Sequence, residues 1–147
     1  MVEEFLEAIL RQRSLVAACK TKLQKTNEQI LSIKAMRTDQ AAAGHGQSDI
    51  SSLLIRLEDA RENVKKELTE LITMHQQGMQ IIQLHPDAQC RAVLIDRYIN
   101  GHSWRKVART MGFKSSEWPQ RVKREALTYL EEHTPESFLP EMYRKNW

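Results

Sequence analysis

A seven-residue repeat of apolar side chains over the first 37 residues constrains the fold of this chain more than any other feature. One heptad position is apolar without exception and holds Val2, Ile9, Val16, Leu23 and Ile30. The partner position, apolar at its ends and more polar in its middle, holds Phe5, Gln12, Cys19, Thr26 and Ile33. Such a narrow stripe is typical of a coiled-coil helix. Because no glycine or proline interrupts it, the pattern predicts one long helix.

A second long helix is predicted after residues 38–49, which contain two glycines and no large apolar side chain and therefore indicate a loop. Ser48 or Asp49 would cap this helix. Its apolar stripe consists of Ile50, Leu53, Leu57, Ala60, Val64, Leu71 and Met74. Gly78 is a weak point near its end, and Pro86 predicts the break after it.

Two helices of nearly equal length on either side of a loop favour an antiparallel helical hairpin over residues 1–85. A parallel dimer of each helix is the competing geometry. A single hairpin buries only a thin apolar seam, so we expect a second copy to cover the rest and form a homodimer through the coiled coil.

Composition narrows the class of protein further. Only five glycines and four prolines occur among 147 residues, which favours an all-α fold. No stretch approaches the roughly 20 apolar residues that span a bilayer, and the acidic start does not resemble a signal peptide. Cys19 and Cys90 are far apart, and the five histidines lack ligand spacing. We expect a cytoplasmic protein of a reducing compartment, with no metal, no cofactor, no membrane partner and no enzymatic activity.

Basic residues are concentrated in one part of the chain. Residues 1–85 carry 11 basic and 11 acidic side chains, whereas residues 101–124 carry seven basic side chains against Glu117 alone. A local charge of +6 beside a neutral half indicates a polyanionic partner at the basic end. A solvated charged face is the alternative interpretation.

The basic segment also has the spacing of a helix-turn-helix, which we place in a domain of residues 86–133. A helix beginning near Pro86 is expected to end at Asn100-Gly101, and Ser103 would cap a short helix from Trp104 to Met111. Gly112 would supply the turn. Ser115 or Ser116 would cap the last helix, whose inward face is Val122, Ala126, Leu127 and Leu130.

The run RYINGHSWRKVARTMGF, followed by RVKREALTYL, resembles the second half of region 4 of sigma factors. The layout from about Asp49 to His133 resembles phage and prophage transcriptional regulators of the ArpU/RinA type, in which a helical segment precedes a sigma-like helix-turn-helix. The sequence departs from the sigma pattern by one extra residue in the Lys114-Ser115-Ser116 turn and by Pro119, which replaces an aliphatic residue.

The resemblance implies that the start of the last helix faces the major groove of duplex DNA through Ser116, Glu117, Gln120 and Arg121. Their chemistry suits base edges: Arg121 could bind guanine, Gln120 adenine, and Glu117 could accept from cytosine. Contacts to the DNA backbone are expected from Ser103, Arg105, Lys106, Lys114, Lys123 and Arg124. We expect Trp104 to pack in the core.

These features favour a sequence-specific transcriptional regulator of phage or prophage genes, acting as a dimer in a bacterial cell. One alternative is a phage DNA-packaging protein similar to a terminase small subunit. Another is a sigma-like protein that acts through RNA polymerase. The tail, residues 134–147, is rich in large apolar side chains, so we expect it to fold back on the helix-turn-helix or to form a docking surface for RNA polymerase.

Overall fold

The computed structural model describes the backbone of residues 1–39 and 47–145 and the side chains of residues 1–36 and 50–145. These residues form helices and no strand, which confirms the all-α class. The long helices are α1 (Val2–Asp39) and α2 (Gln47–Ile82), and the shorter ones are α3 (Ala88–Leu94), α4 (Trp104–Met111) and α5 (Glu117–His133). A π-helical turn, Ile95–Ile99, follows α3, and two 3₁₀ turns, Glu136–Phe138 and Glu141–Tyr143, follow α5. No helix in this part of the chain has the length and apolar character to span a membrane.

The chain forms two compact units. We call Ser14–Glu70 the middle unit, and Met1–Arg13 together with Leu71–Trp147 the terminal unit. The sequence places a domain boundary near residue 85, whereas the division into compact units falls within both long helices. The reason is that the first turns of α1 and the last turns of α2 contribute buried side chains to the terminal unit.

The middle unit is held by a short apolar seam. Ile30, Leu53 and Leu57 form its core, and Leu23 and Ile33 pack against them. The heptad positions of α1 are largely inward: Val16 and Ile30 are buried, and so is Thr26, whose hydroxyl donates to the Lys22 carbonyl at 3.0 Å. Burial of these positions confirms the stripe that the sequence predicts.

The predicted loop is too long. α1 continues to Asp39 and α2 begins at Gln47, so Ser48 and Asp49 lie inside α2 rather than at its N-cap. The centre of the predicted loop, residues 40–46, lies outside the described residues. Residues 38–39 and 47–49 are helical although they carry no apolar stripe, because helix boundaries can extend beyond the residues that a stripe identifies.

The terminal unit has a larger core, to which five helices and the tail contribute. Its fully buried side chains include Phe5, Leu6, Ile9, Ile81, Ile82, Val93, Leu94, Tyr98, Val107, Leu130 and Leu139. Gly78 of α2 lies at a close approach between side chains and helix within this unit. A Cβ atom there would lie 2.7 Å from Cδ1 of Ile9 and 3.3 Å from Cδ1 of Ile99. Gly78 is therefore a packing position and not merely a weak point of the helix.

The connection from α2 to α3 differs from the expected one. Pro86 precedes α3 and does not lie in its first turn; Asp87 is the N-cap, and its carboxylate accepts from the Gln89 amide at 2.8 Å. The Nδ1 atom of His85 accepts from the Asp87 amide at 3.0 Å, and Arg91 donates to the His85 carbonyl at 2.6 Å. Side-chain hydrogen bonds thus satisfy backbone groups between α2 and α3. Pro86 alone does not explain this break between the helices.

The π-helical turn after α3 was not predicted, since a regular helix was expected up to Asn100. Its wider coil is closed by a bond from the Asn100 amide to the Ile95 carbonyl at 2.9 Å. The turn buries Tyr98, whose hydroxyl lies 3.3 Å from the Glu7 carboxylate, and it also buries Asp96. Burial in this low-dielectric position, together with the nearby carboxylates Glu7 and Glu3, raises the pKa of Tyr98 well above its ordinary value.

The tail packs within the terminal unit, where it contacts α1; folding onto the helix-turn-helix and docking to RNA polymerase stay predictions. Leu139 is buried, the ring of Tyr143 lies 5.5 Å from that of Phe5, and Arg144 donates from Nε to the Leu139 carbonyl at 2.9 Å. Met142 is exposed. Trp147 lies outside the described residues.

Candidate nucleic-acid interface

Helix α4 begins where the sequence predicts. Ser103 is its N-cap, with extended backbone (φ −63°, ψ 157°), and its hydroxyl accepts from the Lys106 amide at 3.2 Å. Val107 and Ala108 are buried on the inner face of the helix. The opposite face carries the exposed bases Arg105, Lys106 and Arg109. Because Val107 and Ala108 are buried on one side of this two-turn helix, the three cations lie on its exposed side.

The segment before α4 is held by a buried acid. Asp96 accepts through Oδ1 from the Asn100 amide group at 3.2 Å, and the same oxygen lies 2.6 Å from Nδ1 of His102. Arg97 donates to the His102 carbonyl at 3.0 Å. These bonds fix where Ser103 lies and hence where α4 starts. Asp96 was not identified from the sequence. The signal that could have identified it is an acidic residue whose neighbours lie on a helix face that the sequence predicts to be buried.

Gly112 ends α4 in the left-handed conformation, with φ 77°. The Phe113 amide donates to the Ala108 carbonyl at 2.8 Å, and the Gly112 amide donates to the Arg109 carbonyl at 3.4 Å. This pair of bonds is a Schellman motif, and it requires a residue that tolerates positive φ at the position of Gly112. The predicted turn residue is confirmed, and the motif directs the chain sharply towards α5.

Helix α5 begins at Glu117, directly after Ser116, so its start also agrees with the prediction. The Ser116 side chain, however, makes no capping hydrogen bond, and its backbone is helical (φ −70°, ψ −9°). Pro119 is buried in the first turn, together with Ala126, Leu127 and Leu130 further along the same face. α5 packs on both α3 and α4.

The four candidate base-contacting residues divide into two pairs. Glu117 and Arg121 are exposed and lie one turn apart on the same face of α5, whereas Ser116 and Gln120 are half-buried. Gln120 donates its amide to the Ser116 carbonyl at 3.1 Å. The Arg121 guanidinium lies 5.1 Å from the ring centre of Trp118, which is itself exposed. Gln120 would have to give up its present bond to reach a base, whereas Arg121 is displayed at the surface.

The candidate backbone contacts are also unequal. Arg105, Lys106, Lys114 and Arg124 are exposed, and none of them forms an ion pair with another described residue. Lys123 is different, because its ammonium lies 3.4 Å from the Glu3 carboxylate and 5.8 Å from the Trp104 ring, with only 20% of its side chain exposed. Ser103 is engaged as an N-cap. A phosphate would therefore compete with Glu3 for Lys123.

Trp104 is covered by cations. The Arg97 guanidinium lies 5.0 Å from the ring centre, on the element that precedes α4, and Lys123 approaches from α5. The half-buried ring thus joins three elements of the terminal unit, which supports the prediction that Trp104 packs inside rather than stacks on a base.

Arg109 is a candidate that sequence reasoning left out of the backbone set. It is exposed, without an ion-pair partner among the described residues, and it lies one turn after Arg105 on α4. Arg105 and Arg109 line a surface cleft with Lys114, Ser115 and Ser116. The four-residue spacing of two arginines before a glycine turn was the signal that could have identified it.

Comparison with family models, with curated proteins and with solved structures found no match for this chain. Within the part of the chain that the structure describes, no group of three or more histidine, cysteine, aspartate or glutamate side chains could hold a metal ion. The interpretation of the site therefore depends on its own geometry and charge.

Proposed function

We propose that this chain is a transcriptional regulator of the phage and prophage type that binds duplex DNA through its terminal unit. In this proposal α4, the Gly112 turn and α5 are a helix-turn-helix, and α5 is the helix that enters the major groove. The packing of α4 on α5 and the tight glycine turn between them support it. So does the resemblance of residues 97–113 and 121–130 to region 4 of sigma factors.

The observation that carries the proposal is a set of exposed bases without an ion-pair partner among the described residues. Six of the seven basic side chains between residues 101 and 124 form no ion pair within the described chain: Arg105, Lys106, Arg109, Lys114, Arg121 and Arg124. Surface cations left unpaired on two adjacent helices and the turn between them attract a polyanion, and duplex DNA is the polyanion whose groove accepts a helix.

Base reading is assigned in this proposal mainly to Arg121 and Glu117, the exposed pair on the first turns of α5. Ser116 and Gln120 contribute only if their mutual bond is exchanged for a base contact. Arg105, Lys106, Lys114 and Arg124 contact phosphates, and Ser103 positions α4. Lys123 is assigned a packing role through Glu3 and Trp104.

The same proposal includes a homodimer formed through the middle unit, arranged as an antiparallel hairpin. Ile30 packs with Leu53 and Leu57 while Leu23 and Ile33 flank them, which leaves a thin seam. Several large apolar side chains of this unit are exposed: Leu15, Leu31, Met36, Leu54 and Ile55. Exposed apolar side chains beside a thin core favour a second copy as their cover.

The direct test is selection of bound sequences from a pool of random duplex DNA, followed by titration of the selected site. The wild-type protein is expected to retain duplex DNA at low salt and to enrich a repeated motif. On the selected site, Arg121→Ala should lose at least about tenfold in affinity, since one bidentate base contact is worth roughly 1–3 kcal/mol. Arg56→Ala, an exposed arginine of the middle unit, is the matched control and should bind like the wild type.

Absence of binding to any duplex at low salt would overturn the proposal. A measurement of mass in solution separates the remaining alternatives. A dimer supports the regulator, whereas a ring of eight or more subunits would indicate a DNA-packaging protein. If Arg121→Ala bound the selected site as well as the wild type, the assignment of α5 as the reading helix would be wrong.

A further inference from the structure

The surface cleft at the end of α4 is lined by residues whose charge favours an anionic ligand. It has a volume of about 360 Å³ and opens between α4 and the residues that enter α5. Three cations line it, Arg105 and Arg109 from α4 and Lys114 from the turn, and no acidic side chain does. Since the two arginines are four residues apart, they lie on the same face of the helix.

The backbone sets the shape of this cleft. Ala108 and Phe113 line it, and the Schellman bond between them, 2.8 Å from the Phe113 amide to the Ala108 carbonyl, holds the turn against α4. Lys114 follows immediately and lines the same cleft as Arg109. Main-chain geometry thus sets the backbone positions from which the three cations extend before any ligand arrives, which lowers the ordering cost of binding.

The chemistry of the lining matches a phosphate group. Guanidinium groups present planar N–H donors that fit the oxygens of a phosphate, and Lys114 adds a third positive charge. Ser115 and Ser116 also line the cleft, and the hydroxyl of Ser116 is free because it does not cap α5. With no ion-pair partner among the described residues, the three cations need not give up a carboxylate when an anion binds.

We propose that this cleft binds one phosphodiester group of the DNA backbone, held jointly by Arg105, Arg109 and Lys114. This inference rests on the proposed function. It replaces independent surface contacts with a single phosphate site, and it adds Arg109 as a binding residue. A polymer is favoured over free phosphate because Ser116 lines the cleft and the exposed face of α5 begins at the next residue. A strand anchored in the cleft would continue along that face.

The test compares affinity for a random duplex, and its dependence on salt, among four proteins. These are the wild type, Arg109→Ala, Lys114→Ala and the double variant, with Arg56→Ala as the control for loss of one positive charge. Each cleft variant should weaken binding by about tenfold, as expected for charge-assisted hydrogen bonds to one phosphate. The control should stay within about threefold, because an exposed charge outside the contact is screened by salt.

The double variant distinguishes a shared phosphate from two separate ones. If both side chains hold the same phosphate, the slope of log affinity against log salt falls by no more than about one in the double variant, because Arg105 remains, and its loss of affinity is smaller than the product of the single losses. A fall of about two would mean two independent contacts and would overturn the joint site. Arg109→Lys, which keeps the charge but loses the planar donors, should show an intermediate loss of affinity.

The outcomes for the two proposals differ. If the wild type binds duplex DNA but Arg109→Ala behaves like Arg56→Ala, the phosphate site is overturned and DNA binding stands. If the wild type binds no duplex, both proposals fail. Circular dichroism of each variant checks folding, which exposed substitutions at the end of α4 should leave unchanged.

Discussion

The two compact units bury apolar side chains to very different extents. Among its described residues the middle unit has one core cluster of three buried residues with two flanking ones, besides the buried Val16, Thr26 and Ala60, and it leaves large side chains such as Ile55 exposed by 63%. The terminal unit collects fully buried side chains from five helices and the tail. Charge also differs: residues 14–70 carry nine basic and eight acidic side chains, whereas residues 101–124 carry a net charge of +6.

The two units therefore differ in how they can bury their apolar side chains and become stable. The terminal unit can satisfy its apolar surface within one chain, so its exposed residues are available for a polyanion. The middle unit cannot, because two helices share only one seam. The proposed homodimer follows from this difference, because a second copy would cover the apolar side chains that the middle unit leaves exposed.

The largest expected effect comes from the same substitution made in each unit. Leu130→Ala removes a side chain that is completely buried in the terminal unit and should lower the free energy of unfolding by about 4 kcal/mol. Leu57→Ala in the seam of the middle unit should cost about 2 kcal/mol, since its site can collapse towards solvent. Urea unfolding followed by circular dichroism measures both. Equal losses would break the comparison and show that the seam is as deeply packed as the terminal core.

A smaller effect is expected on self-association. Ile55→Glu places a charge on the exposed apolar face of the middle unit and should weaken the proposed dimer by at least about tenfold, because an unpaired charge at an apolar interface is costly. Sedimentation at several protein concentrations measures it. The control is Met142→Glu, an apolar and still more exposed position of the terminal unit, which should leave the mass unchanged. If both variants kept the wild-type mass, this face would not be the dimer interface.

Tyr98→Phe tests the polar contact between α1 and the π-helical turn inside the terminal unit. It keeps the ring and removes the hydroxyl that lies 3.3 Å from Glu7, so we expect a loss of about 1 kcal/mol. Because burial raises the pKa of Tyr98, the unfolded chain ionises first as pH rises above about 10, and stability should then decrease. That alkaline decrease should be smaller in Tyr98→Phe. If stability decreased as much in Tyr98→Phe as in the wild type, the alkaline decrease would come from other titrating groups.

The smallest effect concerns His75, on the stripe of α2 within the terminal unit. Burial and the nearby Arg13 lower the pKa of His75, so the neutral ring is the form that the fold favours. As pH falls below about 6.5 the unfolded chain takes up the proton first, and stability should decrease. His75→Leu should lose less stability than the wild type between pH 7 and pH 5 in thermal unfolding. A parallel decrease in both proteins would contradict this assignment.

Local patterns were sufficient to predict much of the fold. The stripe from Val2 to Ile30, the cap at Ser103 and the turn at Gly112 depend on side-chain chemistry and backbone preference within a few residues of each position. These preferences act in any surrounding structure, which is why the all-α class, the start of α4 and the start of α5 agree with the prediction. The concentration of basic residues between 101 and 124 is likewise a property of the chain itself.

The tertiary structure decided which residues meet at long range. Nothing near Glu3 in the sequence indicates that it pairs with Lys123, nor does the helix around Gly78 indicate that Ile9 and Ile99 approach it. The same holds for Asp96, whose burial becomes understandable only with His102 and Asn100 beside it. Such pairings follow from how whole helices pack, and a periodic pattern specifies which face is buried without specifying its partner. The sequence by itself therefore determined most of the helices and the concentration of bases, while packing decided which of those bases pair within the described chain and which do not.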